Sequence, residues 1–225
     1  MPIQVSVEQN QLRHTGFFTR PLLGLWGDGK TLLQGLYGAF SPYGATIANI
    51  RNESTSLSPN DQVVSVSLGL NKIHRFRLDR TETTVTNFSQ EDLKAFPELI
   101  AASERWMREA VPSFAFGSHV FAYAAHGRPR GESVEEMLKA LGPSAPSVGG
   151  TDRGTGLTFH WELPDSGWRT QLAIDHSILI PEGLFIMFTL RVDADSLDYG
   201  KLAEEGRKYL DGVMNEVGLS ISRSA

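Results

Sequence analysis

A glycine-rich string near the start of the chain carries the residue types that phosphate binding requires. Residues 24–31 contain Gly24, Gly29, Lys30 and Thr31 in the spacing G-x-x-x-x-G-K-[ST]. In this arrangement the backbone N–H groups of a glycine loop and of the following helix surround a phosphate, while the lysine reaches the terminal oxygens and the threonine holds Mg²⁺. The string therefore predicts a phosphate site, provided that a buried strand leads into it.

This string resembles the phosphate loop of the P-loop nucleotide hydrolases, and the resemblance implies a nucleotide-binding enzyme that uses Gly24–Thr31. The segment before the string departs from that pattern, because residues 19–23 contain Pro21 where a buried parallel strand is expected. Hairpins follow downstream instead of alternating strand–helix units. The interpretation that we favour is a glycine-rich turn at a helix start, in which Asp28 is a capping or turn residue and Lys30 is solvated.

Charged side chains lie close together in sequence at two other places. Arg128 and Arg130 lie in a predicted loop over residues 126–132, and two neighbouring guanidinium groups can bind a phosphate or a carboxylate. Three aspartates within residues 193–198 follow an apolar strand, and carboxylates this close can bind Mg²⁺ or Ca²⁺. We keep the two arginines as a candidate anion site and interpret the aspartates as part of a helix start, where the helix dipole favours them.

No set of residues in the sequence has the spacing of a known catalytic centre. The six histidines include no pair at the i,i+4 spacing of zinc hydrolases, and there is no G-x-S-x-G nucleophile motif. Asp175 and His176 are adjacent in a predicted strand, so their side chains point to opposite faces. The chain has no cysteine, which excludes disulfides, thiol catalysis and iron–sulfur clusters. The sequence predicts no catalytic residue, no metal site and no cofactor.

Trp26 is the residue that we predict to lie in an interface. Aromatic side chains supply much of the binding energy of protein contacts. Trp26 stands between Gly24 and Gly27 in a predicted loop, where a large ring is difficult to bury. We therefore expect its ring to be exposed for contact with a partner.

Alternation of apolar and polar residues predicts mainly antiparallel strands that position these candidates. Ile3, Val5 and Val7 alternate and predict a short edge strand. Further strands are predicted over residues 63–70, 74–78, 83–88, about 118–125, 157–163, 168–174 and 184–192. The strand over 184–192 is nearly all apolar and is expected to be central in its sheet. Pro164–Gly167 predicts a hairpin turn.

Apolar residues spaced by three and four predict the helices. One helical stripe contains Leu32, Leu33, Leu36, Tyr37 and Phe40. Further helices are predicted from Pro97 in a first turn to residue 110, over residues 133–141 and over about residues 199–217. The fold class predicted from these elements is α+β.

The order of the elements indicates an internal duplication. Residues 30–125 and 133–222 both read helix, three or more strands, helix, strand. Segments of this size bury little surface alone, so we expect the halves 1–126 and 127–225 to form one compact unit. Residue identities do not repeat, so the predicted duplication concerns the pattern of elements only.

Composition and charge limit the functions that the chain is expected to have. The 225 residues carry 21 Lys and Arg against 26 Asp and Glu, a net charge of −5, which disfavours nucleic-acid binding because that affinity comes from basic residues. The start of the chain lacks the pattern of a secretory signal, and the apolar stretches are too short for a membrane helix. We expect a cytoplasmic, non-enzymatic protein-interaction or assembly module that binds a protein partner or itself. The alternative is the nucleotide-binding enzyme.

Overall fold

The computed structural model describes residues 2–54, 58, 61–131, 133–142, 156–164 and 166–223. In these residues there are five α-helices: α1 (Leu23–Gly27), α2 (Gly29–Phe40), α3 (Gln90–Ala110), α4 (Val134–Leu141) and α5 (Tyr199–Glu216). The first strands are β1 (Ile3–Phe18), β2 (Ile50–Asn52), β3 (Val63–Ser67), β4 (Lys72–Arg77) and β5 (Arg80–Thr86). The remaining strands are β6 (Phe116–Pro129), β7 (Leu157–Leu163), β8 (Trp168–His176), β9 (Leu184–Val192) and β10 (Leu219–Arg223). Helices and mostly antiparallel strands confirm the predicted α+β class.

The chain forms two compact units, each made of segments that are distant in sequence. Unit A consists of Met1–Gln11, Ala122–Leu190 and Glu204–Ala225, and unit B of Leu12–Phe121 and Arg191–Ala203. The long strands β1 and β6 contribute residues to both. The predicted halves 1–126 and 127–225 are continuous segments, whereas these units are not. The predicted duplication of topology stays a prediction.

Unit B contains the strand order β2-β3-β4-β5-β1-β6, with antiparallel pairing from β2 to β5. The register places Val66 opposite His74 and Phe76 opposite Thr81. Residues from β3 and β4 and from helices α1, α2 and α3 form one apolar cluster. Helix α2 contributes Leu32, Leu36 and Phe40, which are spaced four apart and buried.

One expectation for the helices of unit B is wrong, because Pro97 does not lie in the first turn of α3. Within the apolar stripe of α2, Leu33 and Tyr37 are 49% and 41% exposed. Only one apolar row of α2 packs inward, and the second row points to solvent. Helix α3 begins seven residues before Pro97, because the hydroxyl of Ser89 accepts the N–H of Asp92 while the Asp92 carboxylate accepts the N–H of Ser89. This capping box places Pro97 inside the helix.

Unit A contains the strand order β1-β6-β9-β8-β7, and β10 pairs in parallel with β1 from Ile3 opposite Leu219 to Val7 opposite Arg223. Strand β9 lies between β6 and β8, which confirms its predicted central position. Along β9, every second residue from Leu184 to Leu190 is buried and the residues between them are half-buried. The hairpin between β7 and β8 is also confirmed, with Leu163 opposite Trp168.

The two longest strands were underestimated from the sequence. Strand β1 has 16 residues and lies between other strands, so the expectation of a short edge strand is wrong. Strand β6 runs to Pro129 through the segment that was predicted to be a loop. Gly127 explains this extension, because a Cβ there would overlap the Ser6 carbonyl. The backbone can therefore approach β1 closely, and the N–H of Arg130 donates to the carbonyl of Gln4 at 2.8 Å.

Candidate functional site

The glycine-rich string forms two consecutive helices joined at one residue. Gly24 lies inside α1, and Gly29 is the first residue of α2, with Asp28 as the N-cap between them. The Thr31 hydroxyl donates to Asp28 Oδ2 at 2.6 Å, and the Thr31 N–H donates to Asp28 Oδ1. These bonds lower the pKa of the Asp28 carboxyl, with the hydroxyl bond as the largest cause. The groups offered for Mg²⁺ and phosphate are thus used in a helix cap, and nucleotide binding by Gly24, Gly29, Lys30 and Thr31 stays a prediction.

Trp26 is less exposed than the sequence predicts. The residue is half-buried and packs against the apolar cluster of unit B. Its ring stacks on Phe76, with 5.9 Å between ring centroids and 25° between planes. The indole nitrogen is buried and has no hydrogen-bond partner among the described residues. An interface role for Trp26 stays a prediction.

The two arginines of the candidate anion site have different environments. The guanidinium of Arg128 forms an ion pair with Glu8 Oε1 at 3.0 Å. Arg130 is exposed, and it is positioned by its own backbone N–H, which bonds to Gln4. A joint anion site at Arg128 and Arg130 would have to displace the Glu8 carboxylate, and it stays a prediction.

The aspartates after β9 are occupied by protein donors. Asp195 Oδ1 accepts the backbone N–H of Phe116 at 2.8 Å and pairs with Arg108 at 3.0 Å. The Asp198 carboxylate accepts the N–H of Lys201 in the first turn of α5. Within the described ranges, no group of three His, Asp or Glu side chains is arranged to hold a metal ion.

A groove lies between α2 and α3 in unit B. It encloses about 390 Å³. Its α2 side consists of Gly35, Gly38, Ala39, Pro42 and Tyr43, and its α3 side consists of Ala102, Arg105, Trp106 and Glu109. Gly35 lets the Trp106 indole pack directly against α2, because a Cβ at Gly35 would overlap the indole. We call this surface the α2–α3 groove.

Polar groups at the α2–α3 groove lack partners within the described part of the chain. Arg105 and Glu109 are exposed and form no ion pair there. The Trp106 indole N–H makes no hydrogen bond to a described residue. The exposed Leu33 and Tyr37 do not line the groove, because they lie on the other face of α2. An unpaired guanidinium, an unpaired carboxylate and the indole N–H are thus gathered at one surface.

A set of buried polar side chains lies inside unit B, and no sequence pattern predicted it. His14 Nε2 and His119 Nδ1 are 3.0 Å apart, on strands β1 and β6, and both side chains are fully buried. The hydroxyl of Tyr199 donates to Glu104 Oε2 at 2.5 Å. Arg108 approaches Glu104 Oε1 at 2.7 Å. We call His14, His119, Glu104 and Tyr199 the buried polar cluster. Arg108 and Asp195, with side chains 35% and 52% exposed, lie at its edge.

Burial determines the charge states within the buried polar cluster. It holds the pKa of His14 well below its ordinary value, and the nearby His119 lowers it further. Burial lowers the pKa of His119 to about 4, although the Glu104 carboxylate opposes this change. Burial and the bond to Glu104 raise the pKa of Tyr199 far above its ordinary value. At neutral pH both imidazoles and the phenol are therefore uncharged.

The buried polar cluster has the geometry of a structural network. Its imidazoles have no exposed surface, so a substrate in solvent cannot reach them. Nδ1 of His14 and Nε2 of His119 have no hydrogen-bond partner among the described residues. His74 is also buried, and it bonds to Thr83 through Nδ1 and to Ser103 through Nε2. No local sequence pattern identifies these partners, because His14 and His119 are 105 positions apart.

Comparison with known proteins assigns no family to this chain. No protein-family model matches the chain, and no curated protein has a significantly similar sequence. Among the described residues, none of the helices combines the length and the apolar composition that crossing a bilayer requires.

Proposed function

We propose that this protein is a non-enzymatic protein-interaction or assembly module of a cytosolic system, and that it binds a protein partner at the α2–α3 groove. The observation that carries the proposal is the set of unpartnered polar groups around the Trp106 indole. A tryptophan in a concave surface, with polar residues at the rim, is typical of a binding hot spot. A cysteine-free chain is compatible with a reducing compartment, and the net charge of −5 disfavours nucleic acid as the partner.

Small residues give a partner access to the floor of the groove. Gly35, Gly38 and Ala39 on α2 present little side-chain volume, and Ala102 does the same on α3. A partner segment can therefore bring one apolar side chain against the Trp106 ring. The indole N–H can then donate to a carbonyl or carboxylate of that segment.

The charges at the rim define the chemistry of the partner segment. Arg105 and Glu109 are one helical turn apart on α3 and have opposite charges. A helical or extended peptide with an apolar anchor, flanked on one side by an acidic and on the other by a basic residue, complements them. Matched charges contribute mainly to orientation and to the rate of association.

The test compares two glycine substitutions of the same kind. Gly38 lies in the groove and Gly212 lies on α5 in unit A; both are exposed, and a Cβ at either would meet nothing within 4 Å. Gly38→Arg and Gly212→Arg should both fold, because arginine is a better helix former than glycine. Tagged wild-type chain and both variants are expressed in the native host, and captured proteins are identified by cross-linking and mass spectrometry.

We expect a protein that cross-links to α2 or α3 and is captured by wild type and Gly212→Arg but lost with Gly38→Arg. Titration of the purified partner should then show a weaker affinity for Gly38→Arg, by tenfold or more, about 1.4 kcal/mol. Equal capture by all three chains, or capture by none, would contradict the proposed function.

A further inference from the structure

Strand β7 is an edge of the sheet in unit A. It pairs with β8 over all seven of its residues, from Leu157 opposite Ile174 to Leu163 opposite Trp168. In the described part of the chain no strand lies on its other side. The N–H and C=O groups along that side are therefore available to a further strand.

The β7 edge lacks the features by which proteins prevent an edge strand from pairing with another chain. Its sequence, Leu-Thr-Phe-His-Trp-Glu-Leu, contains no proline, no lysine and no glycine, and its only carboxylate, that of Glu162, is on the exposed face. A seven-residue edge of this composition is long enough to pair with another strand. Strand β2, the outermost strand in unit B, has three residues by comparison.

One face of β7 is apolar and only partly covered. Leu157, Phe159, Trp161 and Leu163 alternate with exposed polar residues, and 36% of the surface of Phe159 is exposed. The neighbouring residues of β8 on this face, Leu172 and Ile174, are fully buried. Tyr209 of α5 covers part of the face, since the Trp161 indole N–H donates to its hydroxyl. The incomplete burial is thus specific to the edge strand.

The order of residues in β7 is complementary to itself when the strand is reversed. An antiparallel pair of two β7 strands centred on His160 places Leu157 opposite Leu163 and Phe159 opposite Trp161. Aromatic pairs in these positions are favourable across strands. Glu162 then faces Thr158, so no two carboxylates are opposed.

Other registers fit less well. Moving the centre by one residue to either side reduces the number of paired β7 residues from seven to five. Centring the pair between two residues places each apolar residue beside a polar one on the same face. The arrangement centred on His160 uses the whole strand and keeps both apolar faces together.

We propose that two copies of this protein associate through antiparallel pairing of their β7 strands, with His160 on the two-fold axis. This association extends the antiparallel sheet of each unit A by the other copy. The two Phe159 and two Trp161 side chains supply the apolar contact, and the backbone groups of the edges supply the hydrogen bonds. The inference concerns unit A and does not rest on the α2–α3 groove in unit B.

The absence of native cysteine allows a direct test of the register. In His160→Cys the two thiols would be directly opposite, where Cα atoms are about 4.5–5.5 Å apart and a disulfide can form. In Thr158→Cys or Glu162→Cys the equivalent Cα atoms would be more than about 13 Å apart, which is too far. A mixture of Thr158→Cys with Glu162→Cys places unlike residues opposite each other.

Under mild oxidation we expect covalent dimers of His160→Cys, and of the mixture, but not of Thr158→Cys or Glu162→Cys alone. All three positions are exposed in the single chain, so reactivity alone would not produce this pattern. Cross-linking of every variant to the same extent, or of none, would overturn the proposed pairing.

The oligomeric state provides the second measurement. Light scattering after size-exclusion chromatography should show wild type as a dimer that dissociates on dilution. Phe159→Lys should be monomeric at the same concentrations, whereas Ile178→Lys, at a residue that is 93% exposed in the same unit, should remain dimeric. Circular dichroism checks that both variants are folded. A wild-type monomer at every concentration, or a dimer that Phe159→Lys leaves intact, would refute the inference; a monomer that still binds its partner would leave the groove proposal standing.

Discussion

Two charged pairs on helix α3 show how differently the same residue types behave on two faces of one helix. Glu104 and Arg108 are one turn apart, and their side chains meet at 2.7 Å at the edge of the buried polar cluster. Arg105 and Glu109 have the same spacing in the opposite order, and they form no ion pair within the described part of the chain. Glu before Arg is also the more favourable order along a helix.

The comparison separates polar groups that hold unit B together from polar groups that are available to a partner. A buried polar group that loses its partner destabilises the fold, because no water replaces the lost hydrogen bond. An exposed polar group without a partner costs little free energy, since solvent provides the hydrogen bonds. Glu104 and Arg108 should therefore contribute to stability, and Arg105 and Glu109 should contribute to association.

Among the substitutions on α3, removal of the Glu104 carboxylate should have the largest effect. Glu104→Ala leaves Arg108 without its nearest carboxylate and the buried Tyr199 hydroxyl without an acceptor. The Arg108 side chain is 35% exposed and still pairs with Asp195, so the main cost is the buried Tyr199 hydroxyl left without an acceptor. That cost is about 1–3 kcal/mol, out of about 5–15 kcal/mol for a typical domain. Urea unfolding followed by tryptophan fluorescence measures the change. A loss below about 1 kcal/mol would show that Glu104 is not part of the stabilising network.

Acidification should destabilise the fold through the buried imidazoles. In the unfolded chain their pKa is near 6.5, whereas burial lowers the folded pKa of His119 to about 4 and that of His14 well below its ordinary value. The unfolded state therefore binds more protons below pH 6.5, and the free energy of unfolding falls as pH decreases. This contribution is complete above pH 6.5, and about 2 kcal/mol for each imidazole is lost by pH 5.

The measurement is urea unfolding at a series of pH values across this window. NMR titration of the folded wild type should show the His119 ring unprotonated at pH 5. Protonation of His14 and His119 near pH 6.5 in the folded state would contradict the assignment.

Substitution of Arg105 should barely change the free energy of unfolding. Arg105→Ala removes an exposed guanidinium that has no ion pair among the described residues, so the free energy of unfolding should change by less than about 0.5 kcal/mol. The same variant should weaken binding of the partner at the α2–α3 groove. A stability loss comparable to that of Glu104→Ala would remove the distinction between the two faces of α3.

Lys30 provides the smallest expected effect. It is exposed at the start of α2, where Asp28 already caps the helix. We expect calorimetry with ATP or GTP and Mg²⁺ to detect no binding to wild type, and Lys30→Ala to leave both this result and the stability unchanged. Micromolar nucleotide binding that is lost in Lys30→Ala would instead favour the nucleotide-binding enzyme.

Local patterns were sufficient for those strands and turns whose structure depends on neighbouring residues. The alternation in β7 and β8 and the apolar run of β9 identified three strands, and Pro164–Gly167 identified the turn between two of them. The apolar row of Leu32, Leu36 and Phe40 identified α2. Asp28 was interpreted as a capping or turn residue, and it is the N-cap, because a carboxylate before a helix accepts its first free N–H groups.

Patterns failed where the decisive contact is distant in the chain. Leu33 and Tyr37 have the helical spacing of core residues, but the sequence does not show which side of α2 faces the other elements. The extension of β6 depends on Gly127 and its close approach to β1, more than a hundred residues away. The α2–α3 groove likewise depends on the position of Trp106 against Gly35.

By itself the sequence determined the α+β class, the antiparallel hairpins and the helix cap at Asp28, because each follows from residues that are adjacent or one turn apart. Only the tertiary structure decided which charged residues of α3 are buried. Glu104 and Arg105 are neighbours in sequence, and their opposite environments arise because packing brings Tyr199 against one side of the helix and leaves the other side open. Long-range packing determines the dielectric surroundings of a charge, and those surroundings determine whether it stabilises the fold or remains available for binding.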